Sequence, residues 1–353
     1  MKTIQLGKKT VHNFSNPYVI AEIGANHNGN MELARTMIKS AVECGADAVK
    51  FQSWNSTSLI AREEYDRNQS YDDGDGGKKH FGSLKEMVEK YYLRPEQHFE
   101  LKAFCDTLSV DFISTPFSES EVDLLHDCKV PFFKVASMDI NNYPLLRYLA
   151  TKDKPIILST GMARLGEIDK AVELLNSLGI DDIALLHCIS IYPPKDQDIH
   201  LNNISMLQKA FGLPIGFSDH SIGFSIPLAS VALGACIIEK HFTTDKNLPG
   251  WDHEISADPT EMRVICHESP KILASLGNYH RIVSATEKAK KAKFRRSVVV
   301  KHNLHKGHIL CEEDLTSKRP GTGIPPDQLH MLLGRTLRVD KEADTLMKWE
   351  DLK

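Results

Sequence analysis

GFSDHSIGFSIPLASVALGACIIEKHFTTD, from Gly216 to Asp245, reads as one strand, one helix and a second strand, and each strand finishes in a histidine, His220 and then His241. Period-two alternation puts Gly216, Ser218 and His220 on one face, and Glu239 and His241 share a face in the same way. If the two strands are parallel neighbours joined by the helix, both imidazoles arrive at the same end of the sheet. That placement suits a divalent metal.

The same unit recurs along the chain. Strand candidates are YVIAEIG near Val19, DAVKFQ near Val49, VDFISTP near Ile113, FFKVAS near Val135, PIILSTG near Ile157, IALLHC near Leu185, PIGFSD near Phe217 and CIIEKHF near Ile238. Stretches with apolar residues at helical spacing separate them, among them MELARTMIKSAVECG and a long one around LKEMVEKYYLRPEQHFELKAFCDT. Strict β-then-α alternation implies a parallel sheet, and eight units close into a (β/α)8 TIM barrel. A doubly wound open sheet is the structural alternative, but no GxGxxG or GxxxxGK[ST] follows the first strand to call for nucleotide binding.

In a barrel the catalytic groups belong at the carboxyl ends of the strands. Polar residues stand there on strand after strand: Glu22; Lys50 and Gln52; Thr115; Lys134 and Ser137; Ser159 and Thr160; His187 and Ser190; Ser218 and His220; Glu239 and His241. Two lysines are costly inside a barrel mouth unless an anion is expected. The ligand is therefore read as phosphorylated or carboxylated, a small dianion whose carboxylate also approaches the metal.

The bulk numbers set the class. A chain of 353 residues with 41% hydrophobic and 25% charged residues has room for one large core and something extra. No apolar run approaches a membrane span, and MKTIQLGKKTVHNF lacks the apolar core and cleavage site of a signal peptide, so a cytoplasmic protein without a membrane partner is expected. Seven cysteines are scattered singly, without a CxxC pair or a disulfide rhythm. A net charge of −4 argues against nucleic acid as the partner. The one basic cluster, KAKKAKFRR from Lys288 to Arg296, reads as a solvated linker over 286–296 between a barrel over 1–285 and a compact β-rich domain over 297–353. Within that last segment, VKHNLHKGHILCEEDL from Val300 matches LRVDKEADTLMKWEDL from Leu337 in apolar placement and acidic ending, a duplicated half-unit.

AEIGANHNG, KFQ, STPFS, FFKVAS, LSTGM, LLHC with IYP, GFSDHSIG and EKHFT resemble, in order and at successive strand ends, the motifs of the sialic acid synthase family. That family makes nonulosonic acids from phosphoenolpyruvate and an N-acylhexosamine. The likeness covers almost the whole chain, and SVVVKHNLHKGHILCEEDLTSKRPGTGIPP resembles the opening half of the family's antifreeze-like (SAF, β-clip) domain. The resemblance implies a domain-swapped homodimer in which that domain caps the partner's barrel mouth. It also implies that His220 and His241 ligate a divalent metal, Mn²⁺ ahead of Mg²⁺ or Co²⁺. Lys50, Thr115, Lys134, Ser137, Ser159 and Ser218 match phosphoenolpyruvate-binding positions, and Ser190 is grouped with them. Glu22 matches a group that handles water or a proton, and Glu239 supports the metal or its water. Gln52, Tyr192, Asp252 and Arg319 match contacts to the acceptor sugar.

Departures from the family pattern fall on the acceptor side: Ser190 stands where an asparagine is usual, Asp139 where a glutamate is common, and Trp251 where a smaller residue precedes the aspartate. Lys79, within DDGDGGKKHFG, lies near a sugar-binding position and would favour an acidic or phosphorylated acceptor. Some of these residues also fit a phosphoenolpyruvate-dependent synthase acting on a phosphorylated aldose or N-acylmannosamine 6-phosphate, or a barrel metallohydrolase built on His220, His241 and Glu22, and the antifreeze-like tail taken at face value reads as a non-enzymatic binding or ice-active module.

Overall fold

The structure is a computed structural model that describes residues 2–67 and 83–353. The chain folds as two compact units, Met1–Gly277 and Asn278–Lys353.

The first unit opens on an antiparallel hairpin, β1 (Ile4–Leu6) and β2 (Lys9–Val11). Eight strands follow: β3 (Tyr18–Gly24), β4 (Ala48–Ser53), β5 (Asp111–Pro116), β6 (Phe133–Val135), β7 (Ile156–Ser159), β8 (Ile183–Cys188), β9 (Ile215–Asp219) and β10 (Ile237–His241). They pair in parallel in the order β5-β4-β3-β10-β9-β8-β7-β6. The two ends of that order, β5 and β6, lie side by side. The sheet is therefore a closed barrel, and the open doubly wound alternative is excluded.

Alternation along each strand sorts the side chains into two environments. Tyr18, Ile20, Ala48, Ile113, Phe132, Ile157, Ala184, Leu186 and Ile237 fill the lower lumen, and Ile4, Leu6 and Val11 of the hairpin bury against them as a plug. The intervening residues, Val49, Phe51, Phe112, Leu158, Leu185 and Phe217 among them, face out and pack under the helices. Gly216 lets the lumen close, since a Cβ there would sit 2.5 Å from Leu186 Cδ2 and 2.6 Å from Ile237 Cβ.

Local signals set the helix ends. Met31–Cys44 begins where Asn30 Oδ1 accepts from the Glu32 and Leu33 amides and ends at Gly45, whose φ of 93° is open to glycine at no cost. The stretch expected as one unit after β4 divides into Leu84–Lys90 and Pro95–Thr107. Pro95 lacks an N–H and disfavours helical geometry at Arg94, so it starts a new helix rather than continuing the old one. The helix that follows the eighth barrel strand, Pro259–Leu276, was not among the expected segments; Asp258 caps it by accepting from the Thr260 and Glu261 amides, and Glu261 accepts in return from the Asp258 amide.

In the second unit the basic stretch expected as a linker is largely a helix, Ala285–Phe294. Ser284 accepts from the Glu287 amide, and alanine and lysine favour the helix that follows. Its carbonyl at Ala292 accepts from the Gly321 amide at 2.8 Å, which ties it to the small unit. Strands β11 (Ser297–Val300) and β12 (Leu315–Lys318) are antiparallel. The duplication extends to the hydrogen bonds. Leu304 and Lys341 exchange both backbone bonds at 2.8 Å. The Lys306 amide donates to Asp340 Oδ1 as the Ala343 amide does to Asn303 Oδ1. The Cys311 amide donates to Asp314 Oδ2 as the Lys348 amide does to Asp351 Oδ2.

The two equivalent buried carboxylates differ in their side-chain partners. Asp351 receives Lys341 Nζ at 2.9 Å, whereas Asp314 receives His302 Nε2 at 3.0 Å and His308 Nε2 at 2.8 Å. Burial opposes the Asp314 charge, but the Cys311 amide and His308 outweigh it and hold the carboxyl well below its usual range. The Asp314→Ala variant is expected to lose about 1–3 kcal/mol of stability at pH 7. In the wild type the contribution is full above the unfolded carboxylate value, near ~4, and is lost as the pH falls below it. Chemical unfolding of the whole chain at pH 7 and pH 3 checks both statements, and equal stability of the two proteins at pH 7 would contradict them.

Candidate active site

At the carboxyl ends of the barrel strands lies a cavity of about 420 Å³. Its floor is an ionic lattice made by the inward-facing residues one layer above the apolar lumen. Lys50 Nζ is 2.8 Å from Glu22 Oε2 and 3.8 Å from Glu239 Oε2, and Lys134 Nζ is 3.6 Å from Glu239 Oε1. Hydroxyls complete it: Lys50 donates to Thr115 Oγ1 (3.2 Å), Lys134 to Ser159 Oγ (2.7 Å), and Ser218 Oγ to Glu239 Oε1 (3.0 Å). The register makes these meetings, since β3–β4 pairing sets Glu22 beside Lys50 and β9–β10 pairing sets Ser218 beside Glu239.

All four charges are almost fully buried, so each carries a desolvation cost that its neighbours offset to different degrees. Burial, reinforced by Glu239, raises the Glu22 carboxyl to about 7 in spite of Lys50 and the amide of Gln52, which donates at 2.8 Å. At Glu239 burial acts the same way, but Lys134, Lys50 and the Ser218 hydroxyl outweigh it and hold the carboxyl below its ordinary value. Burial pulls the Lys134 ammonium down. The floor thus holds one carboxyl able to exchange a proton near neutrality and one that stays ionised.

Above it stand the histidines, with ring centroids 5.5 Å apart. His220 Nδ1 lies 2.7 Å from the Ile189 carbonyl and so must donate, which leaves the lone pair on Nε2. Burial lowers its pKa to about 4, so the ring is neutral. A neutral imidazole anchored through Nδ1–H to a carbonyl is the form in which histidine binds a metal. His241 Nδ1 lies 3.8 Å from Asp252 Oδ2, and the Tyr192 ring packs 4.0 Å from that of His220. Among the described residues no three His, Cys, Asp or Glu side chains converge as ligands, so a divalent metal here would rest on the two imidazoles. That donor set fits a first-row ion that keeps open positions.

Glu22, Lys50, Gln52, Thr115, Lys134, Ser137, Ser159, Ser190, Ser218, His220, Glu239 and His241, read from their strand-end positions, line the cavity, and so do Tyr192, Trp251 and Asp252, which the family resemblance singled out. Asp139 does not; it lies in the short 3₁₀ turn after β6, where Oδ1 accepts from Asn142 Nδ2 at 2.9 Å. Thr160 and His187 also turn away, to the Leu186 and Ile199 carbonyls, because they occupy the outward parity of their strands. Lys79 lies outside the described residues. Arg319 belongs to the second unit, its guanidinium 5.2 Å from the centre of the Phe294 ring.

The sequence reading missed the cavity's apolar corner. Trp54, Leu59 and Phe117 line it, and Trp251 meets Trp54 edge-on at 6.4 Å; Met138 and Met162 also line the cavity. Trp54 Nε1 donates to the Val88 carbonyl at 3.0 Å, so its ring presents carbon to the cavity. Cys188 was also missed, although its even parity with Ala184 and Leu186 marks it as inward-facing.

Residues 37–281 match the NeuB family, and residues 295–353 match the SAF domain. The chain belongs to the NeuB family. It is 38% identical to the N,N'-diacetyllegionaminic acid synthase of Legionella pneumophila, over 95% of this chain and 94% of that protein. With human N-acetylneuraminate-9-phosphate synthase it shares 34% identity over 94% of this chain and 91% of the other. The crystal structure of the N-acetylneuraminic acid synthetase of Leptospira borgpetersenii, solved with citrate, superposes with a TM-score of 0.72 at 34% identity, covering 82% of this chain and 95% of that one. Membership in the NeuB family makes this a synthase of the sialic acid type, a barrel enzyme with a C-terminal SAF domain. No helix among the described residues is long and apolar enough to cross a membrane.

Proposed function

We propose that the protein condenses phosphoenolpyruvate with the open-chain aldehyde of an N-acylhexosamine to give a nonulosonic acid and inorganic phosphate. The observation that carries this reading is the floor lattice, in which two buried lysines and a row of hydroxyls stand below the two histidines.

Lys50 and Lys134 would take up the phosphate and carboxylate of phosphoenolpyruvate, exchanging part of their contact with Glu22 and Glu239 for the ligand's charges. Thr115, Ser137, Ser159 and Ser218 supply hydroxyls that fix its plane. C3 of the enol then forms a bond to the aldehyde carbon, whose oxygen gains a proton. Water adds at C2 and the C2–phosphate linkage breaks, so that acceptor, phosphoenolpyruvate and water account for the acid and phosphate. Glu22, with its carboxyl raised to about 7, takes the proton of that water, and Gln52 and Lys50 hold it in place. His220 and His241 would hold a divalent metal, which when bound supplies Lewis acidity toward the acceptor aldehyde.

Trp251 and the apolar corner suit the methyl of an N-acyl group or a bare sugar face. The Trp251→Ala variant is expected to raise KM for the N-acylhexosamine about tenfold, equivalent to ~1.4 kcal/mol, with little change in KM for phosphoenolpyruvate. Equal effects on both constants in steady-state kinetics would remove Trp251 from the acceptor side. Phosphate release that needs both substrates tests the reading as a whole and separates it from a hydrolase, which would need no aldose.

A further inference from the structure

We infer that the Lys240–Asp219 ion pair, outside the cavity, is a positioning device for His220 and His241. The inference rests on the metal reading of those histidines.

Lys240 and Asp219 are each 1% exposed, and Nζ lies 2.7 Å from Oδ2. They face each other across the β9–β10 ladder, where the register pairs their Cα atoms directly. Alternation sends Ser218 and His220, and Glu239 and His241, toward the cavity. It sends Asp219 and Lys240 to the opposite face. Each member of the pair is thus the covalent neighbour of one histidine.

The contacts go further than one pair. Lys240 Nζ also donates to the Ser221 carbonyl at 2.5 Å, and Asp219 Oδ1 accepts from the Ser221 amide at 2.9 Å. The residues on both sides of His220 are therefore tied to the side chain that precedes His241. His220 itself is held from the third direction by the Ile189 carbonyl. This closes a short loop of bonds that fixes the separation of the two imidazoles.

Energetics favour geometry over stability as the reason for the pair. Removing two charges from water carries a desolvation cost, and apolar replacements of buried ion pairs are often neutral or stabilising. Removing one partner alone leaves an uncompensated buried charge. The positioning role therefore predicts that metal affinity and stability come apart when both charges are removed together.

Titration calorimetry with Mn²⁺ on the full chain, with thermal unfolding of the metal-free proteins alongside, tests this in wild type, Lys240→Met and the double variant Asp219→Asn/Lys240→Met. The asparagine side chain keeps an acceptor for the Ser221 amide. Lys240→Met is expected to unfold at a lower temperature, and the double variant to recover most of that loss. The double variant is still expected to bind Mn²⁺ about 10–100-fold more weakly than wild type, while its affinity for phosphoenolpyruvate without metal stays the same. Wild-type Mn²⁺ affinity in the folded double variant would overturn the inference, as would a parallel loss of phosphoenolpyruvate affinity. Wild-type protein that takes up no Mn²⁺ would overturn the metal reading beneath it.

Discussion

Replacing either cavity histidine, His220→Ala or His241→Ala, is expected to lower kcat/KM by about 10³-fold or more with the fold retained. Losing one aimed electrostatic group in a water-poor site costs on the order of 10²–10³ in rate. Here each imidazole would also account for half of the protein's hold on the metal. The fold should survive because both rings stand on the cavity wall, above the apolar lumen. The chief structural loss in His220→Ala is the partner of the Ile189 carbonyl, worth about 1–3 kcal/mol. Phosphate release with both substrates, set beside circular dichroism, checks this. Full activity in either variant would remove that histidine from the chemistry.

Glu22→Gln should cost about 10²–10⁴ in kcat, the range for a positioned proton-transfer group. The substituted amide keeps the size of the side chain and can still meet Lys50 and Gln52, so the loss isolates the proton. In the wild type kcat should rise through pH 7, where burial places the Glu22 ionisation, and the variant's profile should lack that rise. Stability moves the other way. The folded value lies above the unfolded one, near ~4.3, so the folded state holds the proton more firmly between the two. The stabilisation is complete below the unfolded value and is lost as pH rises through about 7. Wild type should therefore lose stability relative to Glu22→Gln over that window. An unchanged rise near pH 7 in the variant would assign the ionisation to another group.

Much of the barrel and its floor was legible because one rule governs both. Period-two alternation decides which residues of a strand face the lumen, and the last inward residue of each parallel strand must reach the same mouth. Lys50, Lys134, Ser218 and Glu239 meet for that reason. The same rule, applied strictly, would have turned His187 outward and Cys188 inward. Asp139 was singled out by the family resemblance alone; it stands in the 3₁₀ turn after the short β6, where alternation no longer says which way a side chain faces. The corner at Trp54 and Phe117 depends on packing between distant loops, which no local pattern encodes. Pro95 was a readable sign that the long helical stretch would break. The Ser284 cap and the alanine–lysine run likewise favoured a helix where a linker was expected.

A condensation that consumes phosphoenolpyruvate and an N-acylhexosamine together is measured most directly by mass spectrometry with phosphate release. Purified protein would be incubated with Mn²⁺ and phosphoenolpyruvate, with and without a panel of N-acylhexosamines. The expected result is one product whose mass equals acceptor plus phosphoenolpyruvate plus water minus phosphoric acid, formed in step with phosphate and only when both substrates are present. Phosphate released at the same rate without any aldose, and no condensed product with any acceptor, would contradict it.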